Sequence, residues 1–240
     1  MPNFVIDNPN SSGFYGFSGL QSASVLNQID FSTNTALITP IIRSAPTASA
    51  INDGWWDSLQ DWHIIPVHTI VLSDGRVLSY GTDGAGTQSG RWNDDVWNPA
   101  NGNSLVSSHQ FLPSSTTTDL FCGAQSILPG IGKVLLSGGD NRYTGTYNSG
   151  TRDVNIFDPV SNQLTKQASM SSARWYNTQV TLPDGRVLSV AGEDENKNPS
   201  NSSEIFDPVT GKWATLSGLT GPDLIGRYYP RIFVLPDCGA

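Results

Sequence analysis

The chain has few charged residues, few cysteines and no long apolar segment. Only 14% of its 240 residues are charged, and 13 basic against 21 acidic side chains give a net charge of -8. A surplus of acidic charge repels phosphate, and no block of basic residues offsets it, so the composition argues against a nucleic-acid partner. No run approaches the roughly 20 apolar residues that span a bilayer, which argues against membrane insertion.

The first residues, MPNFVIDNPNSSG, lack the basic and apolar segments of a secretory signal. The small proportion of charge and the abundance of small polar residues nevertheless resemble an extracellular surface. We therefore expect an extracellular protein that is exported without a leader or trimmed from a precursor.

Cysteine is scarce: the chain has only Cys122 and Cys238. Two cysteines do not make a disulfide scaffold, and Cys238 lies close to the end of the chain, where order is usually lost. A disulfide between them is the lesser alternative, and a free thiol at Cys122 is expected.

A repeated hairpin organises the rest of the sequence. VLSDGRVLSYGTDG (71–84), ILPGIGKVLLSGGDN (127–141) and TLPDGRVLSVAGED (181–194) are variants of one unit, and FVLPDCGA (233–240) begins another. Asp-Gly between apolar runs is a strong hairpin signal. The leucine before each turn recurs at steps of 56, 54 and 53 residues, at Leu72, Leu128, Leu182 and Leu235. A second motif follows the same rhythm, as DVWNP (95–99), NIFDP (155–159) and EIFDP (204–208).

Four short strands per period of about 50 residues predict an all-β fold, a kelch-type β-propeller of four-stranded blades. A β-sandwich also has short strands, but it does not explain nearly identical hairpins at a fixed period. We expect an N-terminal extension at 1–60 and a partial propeller of about three and a half blades at 61–240. Because propellers usually have four to eight blades, this predicts a truncated chain or a ring closed by another chain.

Equivalent positions can be compared between blades by counting six residues back from each marker leucine. This places Pro66, Cys122, Tyr176 and Tyr229 at the start of the first strand of each blade. First strands line the central channel of a propeller, so Cys122 and Tyr176 are predicted to occupy matching places on neighbouring blades. Their side chains are therefore candidates to meet.

Four segments together resemble the copper-radical oxidases of the galactose oxidase and glyoxal oxidase type. They are TDLFCGAQS (118–126), VLLSGGDN (134–141), MSSARWYNTQVTLPDGRVLSVAG (170–192) and SSEIFDPVTGKWATL (202–216). The order and spacing match from about residue 60 onward, and RWY is nearer to the glyoxal oxidases. The pair of DLFC and ARWY motifs is the more specific part of this resemblance, since kelch elements alone are common.

The resemblance implies that Cys122 and Tyr176 form a thioether-linked radical cofactor and that Tyr176 binds copper. The reaction would be the oxidation of a primary alcohol, an aldehyde or a carbohydrate, with dioxygen reduced to hydrogen peroxide. The family's other copper ligands, a tyrosine with an adjacent histidine and another histidine, lie later in its sequences. We therefore expect this chain to be inactive alone. The alternative that this chain holds no cofactor stays open.

Two further residues are candidates for the same site. Galactose oxidase has a tryptophan stacked over the cross-link, but the corresponding stretch here is AGEDENKN (191–198), with Asp194 near the expected place. Trp175 is a candidate to take over the stacking. Arg231 lies near the start of a first strand and is a candidate substrate-binding residue, although a solvated or paired arginine is an equal alternative.

Simpler interpretations remain open for each of these residues. Tyr176 could pack with a hydrogen-bonded hydroxyl, and Cys122 could act as a small buried apolar residue. His63, His68 and His109 show no metal-ligand spacing, so surface or hydrogen-bonded histidines are predicted. A non-catalytic kelch module that binds carbohydrate or protein is the alternative function.

Overall fold

The computed structural model describes residues 3–7, 15–16, 54, 59–88, 93–113, 115–142, 148–218 and 228–235. Apart from one 3-10 turn at Pro99–Asn101, the regular structure of these residues is β-strand. No helix in this part of the chain has the length and apolar character needed to cross a membrane.

The described residues contain fifteen strands, which form three four-stranded antiparallel sheets and one smaller sheet. The smaller sheet joins β1 (Asn3–Asp7) and β2 (Tyr15–Gly16) to the last strand, β15 (Arg231–Leu235). Blade 1 contains β3 (Ile64–Val71), β4 (Val77–Asp83), β5 (Asn93–Trp97) and β6 (His109–Pro113). Blade 2 contains β7 (Ala124–Ile127), β8 (Val134–Ser137), β9 (Val154–Asp158) and β10 (Gln163–Lys166). Blade 3 contains β11 (Thr178–Thr181), β12 (Val187–Val190), β13 (Ser203–Asp207) and β14 (Lys212–Leu216). The predicted all-β architecture of a kelch-type propeller is confirmed.

The repeated hairpins have the turn that their sequence predicts. In blade 1, Gly75 has φ +83°, its N–H donates to the Leu72 carbonyl, and the Leu72 N–H donates to the Arg76 carbonyl. Blade 3 makes the same two hydrogen bonds around Gly185, which has φ +85°. Glycine suits this position because positive φ costs it little. The marker leucines of blades 1 to 3 are buried at the foot of these turns.

The core lies between the blades rather than within one of them. Blades 1 and 2 share a cluster that includes Leu78, Val96, Leu136 and Phe157. Blades 2 and 3 share another, which includes Leu135, Val154, Val187 and Phe206. The far face of blade 3 packs against Ile232 and Val234 of β15. Strands buried on both faces read as continuous apolar runs, as VLL and VLSV do here.

The glycine after each second strand is required by a close backbone approach. A Cβ on Gly139 would stand 2.1 Å from the Asp119 carbonyl oxygen, and one on Gly192 would stand 2.8 Å from the Trp175 carbonyl oxygen. The preceding residues, Gly138 and Ala191, both have positive φ, +73° and +59°. Ala191 therefore keeps the conformation of the double glycine, although blade 3 lacks the first glycine.

Among the described residues, β1 joins the N-terminal extension to the last strand. It pairs antiparallel with β15 from Asn3↔Leu235 to Asp7↔Arg231. Just after the predicted boundary, Trp62 and His63 lie against blade 1. The boundary at residue 60 stays a prediction, because most of residues 1–60 lie outside the described residues. Cys238 also lies outside them, and Cys122 is a free, buried thiol.

Candidate functional site

Three of the four equivalent channel positions share an unusual backbone. Cys122, Tyr176 and Tyr229 have φ of +61°, +66° and +41°. This left-handed region costs a non-glycine residue roughly 1–3 kcal/mol and is found preferentially at functional sites. Pro66 cannot adopt it, because its ring holds φ near -65°. Blade 1 instead has a register irregularity between Ile65 and His68, so its channel position is built differently.

The same three residues connect the blades through the main chain. The Tyr176 N–H donates to the Cys122 carbonyl, and the Tyr229 N–H donates to the Tyr176 carbonyl, both at 2.9 Å. The hydrogen bonds therefore run from position to equivalent position, from blade 2 through blade 3 to the segment before β15. Their side chains are held at one place because each backbone supports the next.

The side chains converge on the Cys122 sulfur. The hydroxyls of Tyr176 and Tyr229 donate hydrogen bonds to it, and the thiol is buried. The Tyr176 ring lies 5.1 Å from the rings of both Tyr228 and Tyr229, edge to face, and 4.0 Å from the Trp175 ring at 41°. We call Cys122, Trp175, Tyr176, Tyr228 and Tyr229 the mouth cluster.

Every titratable group at the centre of the mouth cluster keeps its proton at neutral pH. Burial raises the pKa of the Cys122 thiol to about 11, and the two tyrosine hydrogen bonds lower it only in part. Burial and the hydrogen bond with Cys122 raise the pKa of Tyr176 to about 12. Burial is also the main cause that raises the pKa of Tyr229. The cluster therefore holds a thiol beside phenols, not a thiolate.

A buried ion pair positions the segment that carries Tyr176. Arg174 and Glu204 are both fully buried, and Arg174 Nη2 lies 3.0 Å from Glu204 Oε2. Arg174 also donates to the Ala191 carbonyl at 2.8 Å, while Glu204 accepts from the Ser171 N–H at 2.7 Å. The arginine of the ARWY motif thus ties Trp175 and Tyr176 to blade 3.

The predicted site residues fall into two groups. Cys122 and Tyr176 are brought into direct contact, and Trp175 packs on the Tyr176 ring. Arg231 is exposed at the start of β15, and no described contact joins it to the mouth cluster. Its role in substrate binding stays a prediction.

Asp194 takes no part in stacking, although it stands near the position of the galactose oxidase tryptophan. Its Oδ1 accepts from the N–H groups of Asn196 and Asn198, both at 2.8 Å, and so closes a turn. The aromatic ring over Tyr176 comes from the preceding residue of the chain, Trp175. The sequence analysis named Trp175 as the candidate for this place, and its ring does lie against that of Tyr176.

Tyr228 is a contact that sequence reasoning missed. Its hydroxyl donates to Glu193 Oε1 at 2.6 Å, which holds its ring edge to face with Tyr176. The repeat could have revealed this contact. Tyr229 lies at the position equivalent to Tyr176, and Tyr228 precedes it as Trp175 precedes Tyr176.

Two oxidases share sequence with the chain. Galactose oxidase of Gibberella zeae is 26% identical over 189 residues, which are 77% of this chain and 26% of that protein. The aldehyde oxidase GLOX of Vitis pseudoreticulata is 26% identical over 140 residues, which are 55% of this chain and 24% of that protein. The chain is a relative of the copper-radical oxidases.

The fold of this copper-radical oxidase relative agrees with that of a solved structure. A fungal alcohol oxidase of the AA5 family, solved in complex with copper, matches with a TM-score of 0.51 and 19% identity. The match covers 69% of this chain and 33% of that one. No protein-family model matches the chain. The chain spans about a quarter of the length of the two oxidases that it matches in sequence.

The residues of the mouth cluster fit the cysteine–tyrosine part of a copper-radical centre. The fit rests on the contact between the Cys122 sulfur and the Tyr176 hydroxyl and on the tryptophan ring at Tyr176. An imidazole, a side chain that suits copper, lies next to the mouth cluster. It belongs to His68, whose ring lies 6.2 Å from the Tyr229 ring and is stacked on Tyr80 at 5.0 Å. Its buried Nε2 has no hydrogen-bond partner among the described residues, and burial lowers the pKa of His68 to about 4.

Proposed function

We propose that this chain carries the cysteine–tyrosine half of the active site of a copper-radical oxidase, which oxidises a primary alcohol or an aldehyde and produces hydrogen peroxide. The observation that carries the proposal is the hydrogen bond between Tyr176 and the buried Cys122 thiol, at equivalent positions of neighbouring blades. The relationship to galactose oxidase and to GLOX supports this reaction class.

Cys122 and Tyr176 are proposed to form a thioether. The bond joins Sγ to the tyrosine ring carbon beside the hydroxyl, and the S–H and C–H hydrogens are lost. Their two electrons and two protons reduce one dioxygen to hydrogen peroxide. Because burial keeps the Cys122 thiol protonated, both hydrogens are still in place before this oxidation.

In the proposed site Tyr176 is the copper ligand, and copper would supply one of the two oxidising equivalents that the alcohol or aldehyde requires. Trp175, at 4.0 Å from the Tyr176 ring, would shield a radical there and share its spin. Tyr229, which also donates to Cys122, would hold the sulfur against Tyr176.

The resemblance places the remaining copper ligands in later parts of the family's sequences, and the chain covers about a quarter of its oxidase relatives. We therefore propose that residues 1–240 alone are not an active oxidase.

An extracellular location is proposed from the composition. The choice among alcohols, aldehydes and carbohydrates would depend on loops at the channel mouth.

The test is peptide mapping of the protein, as its gene encodes it, after incubation with Cu²⁺ in air. We expect an intact mass lower by two hydrogens and a cross-linked pair of peptides containing Cys122 and Tyr176. Tyr229→Phe should keep the cross-link, whereas Tyr176→Phe and Cys122→Ser should abolish it. A peroxidase-coupled assay with a panel of primary alcohols and aldehydes then defines the substrate.

Unlinked Cys122 and Tyr176 peptides from the copper-loaded protein would overturn the proposal. Together with a lack of peroxide production, that result would favour a non-catalytic kelch module instead. A link from Cys122 to Tyr229 would show that the wrong tyrosine had been assigned.

A further inference from the structure

A second group of polar side chains lies in blade 1, outside the mouth cluster. His63, Asp95 and His109 each offer a possible ligand atom, and these atoms lie within 4.8 Å of one another. His63 Nδ1 is 2.5 Å from Asp95 Oδ2, and His109 Nδ1 is 2.7 Å from Asp95 Oδ1. We call these three residues the blade-face cluster.

The blade-face cluster occupies the side of blade 1 that faces away from blade 2. Leu78 and Val96 pack against blade 2, and residues alternate between the two faces of a strand. Ser79 and Asp95, which pair across β4 and β5, therefore point to the other face. His109 is on the same face, because it pairs with Trp97, two residues beyond Asp95.

Aromatic rings surround the blade-face cluster and pack against its two histidines. The Trp62 ring lies 4.5 Å from the His109 ring, edge to face, and the Trp97 ring is stacked on His109 at 6.2 Å. Trp62 Nε1 donates to Ser79 Oγ at 3.0 Å, which ties the segment before β3 to the blade. His63 contacts the Phe111 ring at 5.5 Å. The imidazoles are therefore held in place rather than free to rotate.

The burial of the Asp95 carboxyl group also points to a cation. Its side chain is completely buried, and its described side-chain partners are the two imidazoles. Burial of a carboxylate without a cation is unfavourable, because no attraction offsets the loss of its hydration. Two imidazoles and one carboxylate form the ligand set that zinc, iron, nickel and copper share.

Burial differs among the three side chains and defines where the site opens. The Asp95 and His109 side chains are 0% and 1% exposed, whereas that of His63 is 29% exposed. Three protein ligands leave a coordination position free, as in zinc sites that bind water or substrate. That position would open beside His63.

We propose that His63, Asp95 and His109 bind a divalent first-row transition-metal ion, for which Zn²⁺ is the probe. Each imidazole that now donates its Nδ1–H to Asp95 frees that nitrogen for the ion, and its proton moves to Nε2. The proposal does not depend on the oxidase function, since none of its residues belongs to the mouth cluster. The competing explanation is a purely structural clamp, in which Asp95 only anchors the two histidines.

The first measurement is calorimetric titration of the chelator-treated protein with Zn²⁺ at pH 7.5. We expect one site, with an affinity that falls about 100-fold or more in His63→Gln and in Asp95→Asn, because loss of a ligand exceeds the 10–100-fold cost of losing an outer-shell partner. The matched controls are His68→Gln, which removes the third histidine, and Tyr176→Phe, which removes the proposed copper ligand. Both should bind Zn²⁺ as the wild type does.

The second measurement needs no variant and so stands even if Asp95→Asn fails to fold. Nitrogen-15 NMR of the imidazoles should show Nδ1–H on His63 and His109 without metal and Nε2–H after Zn²⁺ is added. No zinc binding, zinc binding that survives His63→Gln, or unchanged His63 and His109 signals would overturn the proposal and leave the structural clamp. Zinc binding lost in Tyr176→Phe would place the ion at the mouth cluster and also overturn it.

Discussion

The mouth cluster and the blade-face cluster both bring together side chains that are far apart in the sequence, but they do so by different means. Cys122 and Tyr176 stand at equivalent positions of a repeat, and main-chain hydrogen bonds join those positions from blade to blade. His63, Asp95 and His109 share no repeat position. They meet because they lie on one face of a single blade and because the segment before β3 crosses that face. Repetition can therefore reveal the first kind of site from sequence, but not the second.

The buried carboxylates that support the two clusters differ in the same way. Glu204, behind the mouth cluster, pairs with the permanently charged Arg174. Asp95, in the blade-face cluster, pairs with two imidazoles, which are also metal ligands. The first carboxylate has its cation supplied by the chain, whereas the second leaves room for one from solution.

The largest effect is expected when this difference is tested by amide substitution. Glu204→Gln leaves the Arg174 guanidinium buried without its counter-charge, which should lower the free energy of unfolding by about 3–5 kcal/mol. Asp95→Asn keeps an acceptor oxygen for one imidazole and should cost only about 1–2 kcal/mol without metal. Urea unfolding of both variants at pH 7.5 measures the two costs. Equal losses of unfolding free energy would contradict this difference between the partners of Glu204 and Asp95.

A pH-dependent effect is expected from Asp94, the neighbour of Asp95 that points to the opposite face. Burial raises the pKa of Asp94 from 3.8 to about 7. The unfolded chain therefore loses this proton at lower pH than the folded chain does, and the stability that Asp94 contributes at low pH is lost as pH rises from about 4 to about 7. Between pH 5 and pH 8 this amounts to about 3 kcal/mol.

Asp94→Asn should remove that loss, so its stability relative to the wild type rises by about 3 kcal/mol between pH 5 and pH 8. Urea unfolding at several pH values provides the measurement, and Asp61→Asn, at an exposed position, is the control. A pH profile parallel to that of the wild type would contradict the raised pKa.

The smallest effect is expected from His68, next to the mouth cluster. Burial lowers the pKa of His68 from 6.5 to about 4, so the unfolded chain binds this proton at higher pH than the folded chain does. The stability that His68 contributes is complete above pH 6.5 and falls as pH decreases towards 4. At pH 5 the wild type should have lost about 2 kcal/mol through this group.

In His68→Gln that loss should be absent, so the difference in stability between pH 7.5 and pH 5 should shrink by about 2 kcal/mol. Because the His68 and Asp94 effects have opposite signs in the same pH range, the wild type can show a flat profile that conceals both. An unchanged slope in His68→Gln would mean that the imidazole is solvated, contrary to its burial against Tyr80.

Much of the fold could be predicted because its determinants are local. The Asp-Gly turns and the apolar runs beside them define hairpins within a dozen residues, and their period of 53–56 residues defines the blades. The contact between Cys122 and Tyr176 could be predicted from the same period. The left-handed backbone of both residues could not, since cysteine and tyrosine seldom adopt positive φ and nothing in their sequence motifs indicates it.

The aromatic environment of Tyr176 was only partly predictable. Trp175 was a candidate from its adjacency, but whether its ring reaches Tyr176 depends on the backbone turn that the Arg174–Glu204 pair stabilises. Asp194, near the position at which the resemblance implies a stacking tryptophan, instead closes a turn through two main-chain hydrogen bonds.

By itself, the sequence determined the strands, the turns, the blade period and the pairing of Cys122 with Tyr176, because each depends on short-range chain geometry or on exact repetition of it. The tertiary structure alone decided which residues of different strands share a face. His63 and His109 have no metal-ligand spacing in the chain, yet both reach Asp95, because strand pairing places 95 beside 109 and the segment before β3 folds back over blade 1. Proximity of that kind comes from packing between elements, for which sequence separation carries no information.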